Sequence, residues 1–199
     1  HGSVYLSADY TGAAELGELA MRGEIEIEGK KARLIERKPD SPDWVREVLD
    51  VVERQAGPKG KPVDIGNLQF ARRNAVKTHR AALLERGLLE HKPRKRLGVF
   101  PDNRYVPDET ARGELLQAVR DAAAQRRELD ERLAPLCALV AASGLAYGLG
   151  LNRAERNALK TVASEENVGE AVEQGISAAT TAALIAVNTA VVTTVLSNQ

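Results

Sequence analysis

The stretch Leu83-Leu84-Glu85-Arg86-Gly87-Leu88-Leu89-Glu90-His91-Lys92-Pro93-Arg94-Lys95-Arg96-Leu97-Gly98-Val99-Phe100 carries the main decision about the fold. A helical run ends at Arg86-Gly87, because glycine accepts the left-handed conformation that closes a helix. Residues 88–90 and 97–100 then read as two short strands around a polar turn at 91–96, and Pro101-Asp102-Asn103 closes the hairpin. Upstream, one long helical region fills the space between this glycine and the strongest break in the chain, Gly57-Pro58-Lys59-Gly60-Lys61-Pro62. Before that break, Ser41-Pro42-Asp43 has an N-cap residue followed by proline at the first helical position, and opens a helix through Gln55. Trp44, Val48, Val51 and Val52 supply its buried side at helical spacing, with Leu49 at the edge.

Nearer the start, Ala13, Leu16, Leu19 and Ala20 mark a helix over residues 10–21 that stops at Arg22-Gly23. Residues 24–28 alternate Glu and Ile, the period of a half-buried strand, and residues 32–36 form the returning strand after Gly29-Lys30-Lys31. Downstream, Pro107-Asp108 starts another helix. From Glu109 onward the chain reads as helix, interrupted near residues 144–152 and around Gly175. No repeat and no long linker divides the chain. The expectation is a mainly α protein: a single globular helical domain over residues 1–199 with two small β-hairpins.

The composition narrows the function. The 199 residues carry 28 basic and 28 acidic side chains, so no overall charge drives non-specific binding to nucleic acid or anionic lipid. A lone Cys137 rules out an internal disulfide framework and a multi-cysteine zinc site, and it fits a reducing, cytoplasmic setting. His1, His79 and His91 are too scattered to suggest a metal site. His1-Gly2-Ser3 has the composition of a tag remnant, and Asp9 breaks any secretory pattern. Residues 174–199 hold no charge, and residues 176–197 are long enough to span a bilayer. Five threonines, Asn188 and the lack of Lys, Arg, Trp or Tyr anchors favour a helix buried in a core.

Convergent catalytic groups cannot be assembled, so neither an enzyme nor a cofactor is expected. Gly144, Gly148 and Gly150 follow a helical pattern and reverse the dinucleotide-binding order. Ser143 lacks a nucleophile elbow and a paired histidine. Glu165-Glu166 suits a helix start, and Cys137 among Leu136, Leu139 and Val140 reads as core.

Two places break the even charge balance. On the long helix, Arg73, Lys77 and Arg80 fall within an arc of roughly 60° at about 100° per residue, while Ala75, Val76 and Leu83 lie on another side. Three cations on one stripe can converge on a phosphorylated headgroup; the alternative is a solvated face paired with carboxylates from elsewhere. The second place is Arg94, Lys95 and Arg96 at the hairpin tip, followed by Leu97, Val99 and Phe100. Cations beside apolar strand residues suit an anionic bilayer, with Leu97, Val99 and Phe100 entering the interfacial layer. The competing possibility buries those three in the domain's own core.

A different class shares the same order of elements. Helix, Gly87, strand, basic turn and strand is also the order of a winged-helix DNA-binding module, with residues 91–96 as the wing. That reading needs a separate recognition helix before Gly87, with residues 64–69 as its support helix.

The order of motifs resembles the Golgi phosphoprotein 3 family in its shorter bacterial form. Gly12-Ala13-Ala14-Glu15-Leu16-Gly17-Glu18-Leu19-Ala20-Met21-Arg22-Gly23-Glu24-Ile25 is similar to the family's first helix and the element that follows it. Residues 44–52 resemble its second helix, and Arg73-Asn74 with Leu83-Leu84-Glu85-Arg86-Gly87-Leu88-Leu89 its helix end. Leu97-Gly98-Val99-Phe100-Pro101 takes the place of its apolar hairpin strand, residues 131–144 resemble a later helix, and residues 186–195 the last. The resemblance implies a peripheral membrane protein that binds phosphatidylinositol 4-phosphate and acts as an adaptor for client protein tails, with no nucleic-acid partner. It also implies a headgroup pocket of two basic residues three apart, with a Trp and an Arg near the first helix. By position those four places hold Arg73, Val76 (with Lys77 next to it), Ser3 and Gly12. The expected site is therefore an anionic-lipid site built by Arg73, Lys77 and Arg80, with Arg94, Lys95, Arg96, Leu97, Val99 and Phe100 at the membrane surface.

Overall fold

The first helix, α1 (Ser3–Met21), buries Tyr10, Ala13, Leu16, Leu19 and Ala20, a spacing of three and four that puts them on one side. The computed structural model that shows this describes residues 3–96, 100–130, 132–143 and 145–162. Helix α1 ends as its sequence foretells. Gly23 has φ +69°, its N–H reaches the Ala20 carbonyl, and the Glu24 N–H reaches that of Leu19, a Schellman closure. Strands β1 (Ile25–Glu28) and β2 (Lys31–Leu34) pair antiparallel, with Ile25 opposite Leu34 and Glu28 opposite Lys31.

Helix α2 (Asp43–Ala56) turns Val45, Val48, Leu49, Val51, Val52 and Ala56 inward. Trp44, expected on that buried side, is half-buried, and Leu49 is fully enclosed. Ser41 is not the cap of this helix. Pro42 holds that position, and the Ser41 hydroxyl turns inward to donate to the buried carboxylate of Glu24. Strand β3 (Val63–Asp64) adds a third strand beside β2, with Val63 opposite Ala32, and two residues are too few for a periodic signal.

The single long helix expected before Gly87 is two: α3 (Ile65–Ala71) and α4 (Ala75–Glu85), separated by residues 72–74. Ile65, Leu68, Arg72, Ala75 and His79 keep helical phase across the break, so periodicity alone reads one helix. Asn74, of a type that favours helix starts, stands at the N-cap of α4.

The second hairpin also differs from expectation. Strands β4 (Leu89–Arg96) and β5 (Phe100–Pro107) pair along their whole length, from Leu89 opposite Pro107 to Arg96 opposite Phe100. Residues 91–96 are strand, not turn, and Pro101-Asp102-Asn103 lies inside β5. Both strands of a two-stranded ribbon are edges, so Pro93 and Pro101 need not give up a ladder bond. Polar residues on a ribbon also hide the two-residue period.

Asp108 caps α5 (Glu109–Ala123) by accepting the Ala111 N–H at 2.7 Å. The helix does not run on as expected. Gln125 takes φ +53°, and the Arg126 N–H returns to the Asp121 carbonyl, a closure of the glycine type made without glycine. Then come α6 (Leu133–Ser143), α7 (Leu145–Gly148) and α8 (Arg153–Val162). Asn152 and Glu155 start α8 as a reciprocal capping pair, at 2.7 and 3.0 Å.

Two apolar clusters result. One joins α1, the three-stranded sheet, α2 and α3; the other joins α5, α6 and α8. Helix α6 serves both, with Leu139 and Ala142 against the first and Cys137 and Val140 in the second. Among the described residues no helix is long and apolar enough to cross a membrane. The expectations for Gly144, Glu165, Glu166, Gly175 and the segments 176–197 and 186–195 lie outside the described residues. So do those for Leu97 and Val99.

Candidate functional site

A buried charge network holds the junction of α3 and α4 in place. The Arg72 guanidinium is nearly enclosed and grips Glu15 of α1 with two bonds, Nε to Oε2 at 3.0 Å and Nη2 to Oε1 at 2.7 Å. Its third nitrogen reaches Glu47 of α2 at 3.2 Å. His79 of α4 lies 2.9 Å from Glu15 Oε1 and meets Trp44 edge-on, with ring centroids 5.2 Å apart. Burial pushes the Glu15 carboxyl up, but hydrogen bonds from His79 and Arg72, with the Arg72 charge, bring it below its ordinary value. Arg72 responds in the opposite direction, raised first by its bond to Glu15. Arg72, directly before Arg73 in the chain, therefore faces inward.

Glu24 sits in a second, smaller network. It accepts from Ser41, from Arg22 Nε at 2.7 Å and from the Lys38 N–H at 3.1 Å. Burial raises its pKa and these three donors outweigh it, so the net shift is downward. Both carboxylates therefore stabilise the fold in their ionised form. That contribution is complete above their ordinary value of 4.5 and is lost as pH falls through the lowered folded values. The thermal midpoint should be flat near neutrality and drop below about pH 4.5, and Glu24→Gln should flatten part of that drop. Calorimetry across pH 3 to 7 checks it; an identical profile for Glu24→Gln would mean that Glu24 contributes nothing.

With Arg72 turned inward, the neighbouring cations point outward. Arg73 is exposed, with its guanidinium 5.1 Å from the centre of the Phe70 ring. Lys77 is exposed in the first turn of α4. Arg80 is half-buried and lies 4.3 Å over the ring of Tyr105 on β5. Lys77 and Arg80, three apart on α4, are neighbours on one face. Arg73 precedes the N-cap and lies off the helix, which corrects the expected stripe of three. Among the described residues none of the three has a carboxylate partner; the ion pairs of this region go to Arg72 and His79. The first turn of α4 has no acidic residue and no side-chain cap; backbone carbonyls take its Ala75 and Lys77 N–H groups, at 2.7 and 2.9 Å, and the positive end of the helix dipole has no carboxylate of its own helix against it.

The second hairpin meets α4 through Tyr105. On its strand partner, His91 stacks against the same ring at 5.0 Å and bonds to Asn103 at 3.0 Å. Lys92 pairs with Glu90 at 3.0 Å. Arg94, Lys95 and Arg96 belong to β4, in backbone register with Asp102, Pro101 and Phe100. Phe100 opens β5; the side chains of these cations and of Phe100 fall outside the described residues. Sequence reasoning missed Phe70 and Tyr105, the two rings on which the cations lie. An aromatic three residues before Arg73 was the available signal.

Elsewhere the chemistry is quiet. Burial pushes the Cys137 thiol up to about 11, which leaves it a core residue. Ser143 is buried beside the Val140 carbonyl. Among the described residues no group of three or more His, Cys, Asp or Glu is arranged to hold a metal ion.

Helices packed around a small sheet, with an outward basic junction next to a two-stranded hairpin, define a mainly helical fold that carries its candidate site on the surface. The family model for Golgi phosphoprotein 3 (GPP34) matches residues 7–187, and the chain belongs to that family. No curated protein matches the chain significantly.

Proposed function

We propose that this protein binds membrane surfaces peripherally through anionic phospholipid, phosphatidylinositol 4-phosphate among them, and acts as a non-catalytic adaptor for client protein tails on the cytoplasmic side. The observation that carries this reading is the start of α4. Arg73 and Lys77 stand exposed without carboxylate partners among the described residues, at the N-terminus of a helix whose first turn holds no acidic residue. Cations at the positive end of a helix dipole favour a phosphate. Arg80 adds a further cation on α4, and the sequence of β4 carries three more at Arg94, Lys95 and Arg96, charges of the sign that an anionic bilayer attracts. Family membership supports the same class of function.

The DNA-binding alternative gains one observation. A helix, a short strand, a seven-residue helix, a three-residue turn and a second helix precede the β4–β5 ribbon, the order that such a module needs. Against it, β3 pairs with β2 and not with the ribbon.

Co-sedimentation tests both. The protein should pellet with phosphatidylcholine vesicles containing phosphatidylinositol 4-phosphate or phosphatidylserine, stay in solution with phosphatidylcholine alone, and leave duplex DNA fragments unshifted. Salt-sensitive binding to DNA with no pelleting on any anionic vesicle would replace the membrane reading with the nucleic-acid one.

A further inference from the structure

We infer that Phe70 is a membrane-entering side chain, placed at the α3–α4 junction so that its ring enters the lipid interface while Arg73 and Lys77 meet phosphate. The inference rests on the membrane reading above and assigns it a second point of entry, away from the β4–β5 hairpin.

Helix α3 has a clear inside. Ile65, Leu68 and Gln69 are buried, and Phe70, two positions after Leu68, falls on the far side with 71% of its surface exposed. The fold does not need a phenyl ring there. Five large apolar or aromatic side chains are exposed among the described residues: Ile35, Phe70, Leu115, Leu145 and Tyr147. Leu115 lines an apolar groove with Leu83, Leu88 and Leu116. Tyr147 carries a hydroxyl that water can serve, and its nearest cation, Arg156, is engaged with the Leu151 carbonyl at 2.6 Å. Phe70 has no polar atom, and the cation over its ring, Arg73, has no carboxylate among the described residues.

The occupant follows from that charge. A protein partner with an apolar pocket would accept Phe70 alone, but it would also have to neutralise Arg73 and Lys77. An anionic bilayer does both at once, since its interface takes aromatic rings just below a layer of phosphates. The guanidinium stacked on the ring keeps cation and phenyl at the depths the interface sets for each.

Phe70→Trp and Phe70→Ala test this in the full chain, using phosphatidylcholine vesicles that carry phosphatidylserine and phosphatidylinositol 4-phosphate, with and without brominated acyl chains. The chain has one native tryptophan, Trp44, half-buried against His79, and the wild type therefore sets the baseline. Phe70→Trp should bind as the wild type does, and its emission should be quenched by brominated vesicles well beyond that baseline. Phe70→Ala should bind about tenfold more weakly, and both variants should keep the wild-type melting temperature because the ring is outside the core. A wild type that pellets, with Phe70→Trp unquenched and Phe70→Ala bound equally well, overturns the inference and leaves the membrane reading standing. A wild type that ignores these vesicles brings down both.

Discussion

Arg72→Ala should lower the unfolding free energy by about 3–5 kcal/mol, a large share of what a domain of this size possesses. Glu15, only 3% exposed, would lose two charge-assisted bonds and keep its position, since α1 is held by the buried Ala13 before it and Leu16 and Leu19 after it. His79 would remain as its sole partner of the original set, on a helix whose only buried residue is Ala75. The cost arises from stranding a carboxylate rather than from losing a guanidinium, so Glu15→Leu with Arg72→Met should recover most of it. Urea titrations of the single and double variants decide the matter. A single variant within about 1 kcal/mol of wild type would mean that water reaches Glu15 freely and that the network does not hold the junction.

Arg73→Ala, Lys77→Ala and Arg80→Ala combined should leave the protein folded and weaken binding to anionic vesicles by several tens-fold to a few hundred-fold. Each cation near an anionic surface is worth about 1 kcal/mol, and the three together correspond to about two decades in affinity. Stability should change little. Arg73 and Lys77 are exposed, and the stacking of Arg80 on Tyr105 at a half-buried position contributes about 0.5–1 kcal/mol at most. Vesicle titration alongside a thermal melt separates the two effects, and a folded triple variant with wild-type affinity would take these residues out of the account.

Much of the architecture was legible because its signals are local. Gly23 ends α1 and Asp108 opens α5 through backbone geometry that a few residues determine. The break at 72–74 was hidden because Arg72 continues the phase of Ile65 and Leu68 while its charge is satisfied by Glu15, 57 positions away in the chain. The end of α5 was hidden because Gln125 takes a left-handed conformation that glutamine rarely signals. Strand β4 looked like a turn because five of its eight residues are charged or proline between Lys92 and Arg96, and composition outweighed pairing. For the candidate site, charge and spacing picked out Arg73, Lys77 and Arg80. They could not reveal that Arg80 lies on Tyr105, since that contact depends on how the hairpin packs against α4.

Helix α6 carries no charged residue, and its two sides belong to different apolar clusters. A wall shared in this way ties the fates of the rooms on either side. Loosening α5 or α8 enough to release Cys137 and Val140 also withdraws Leu139 and Ala142 from the cluster around α1 and α2. Partial opening is thereby discouraged: the halves tend to melt in a single cooperative step, and a tug on α5 or α8 is felt as strain on the side that anchors Glu15 and Arg72.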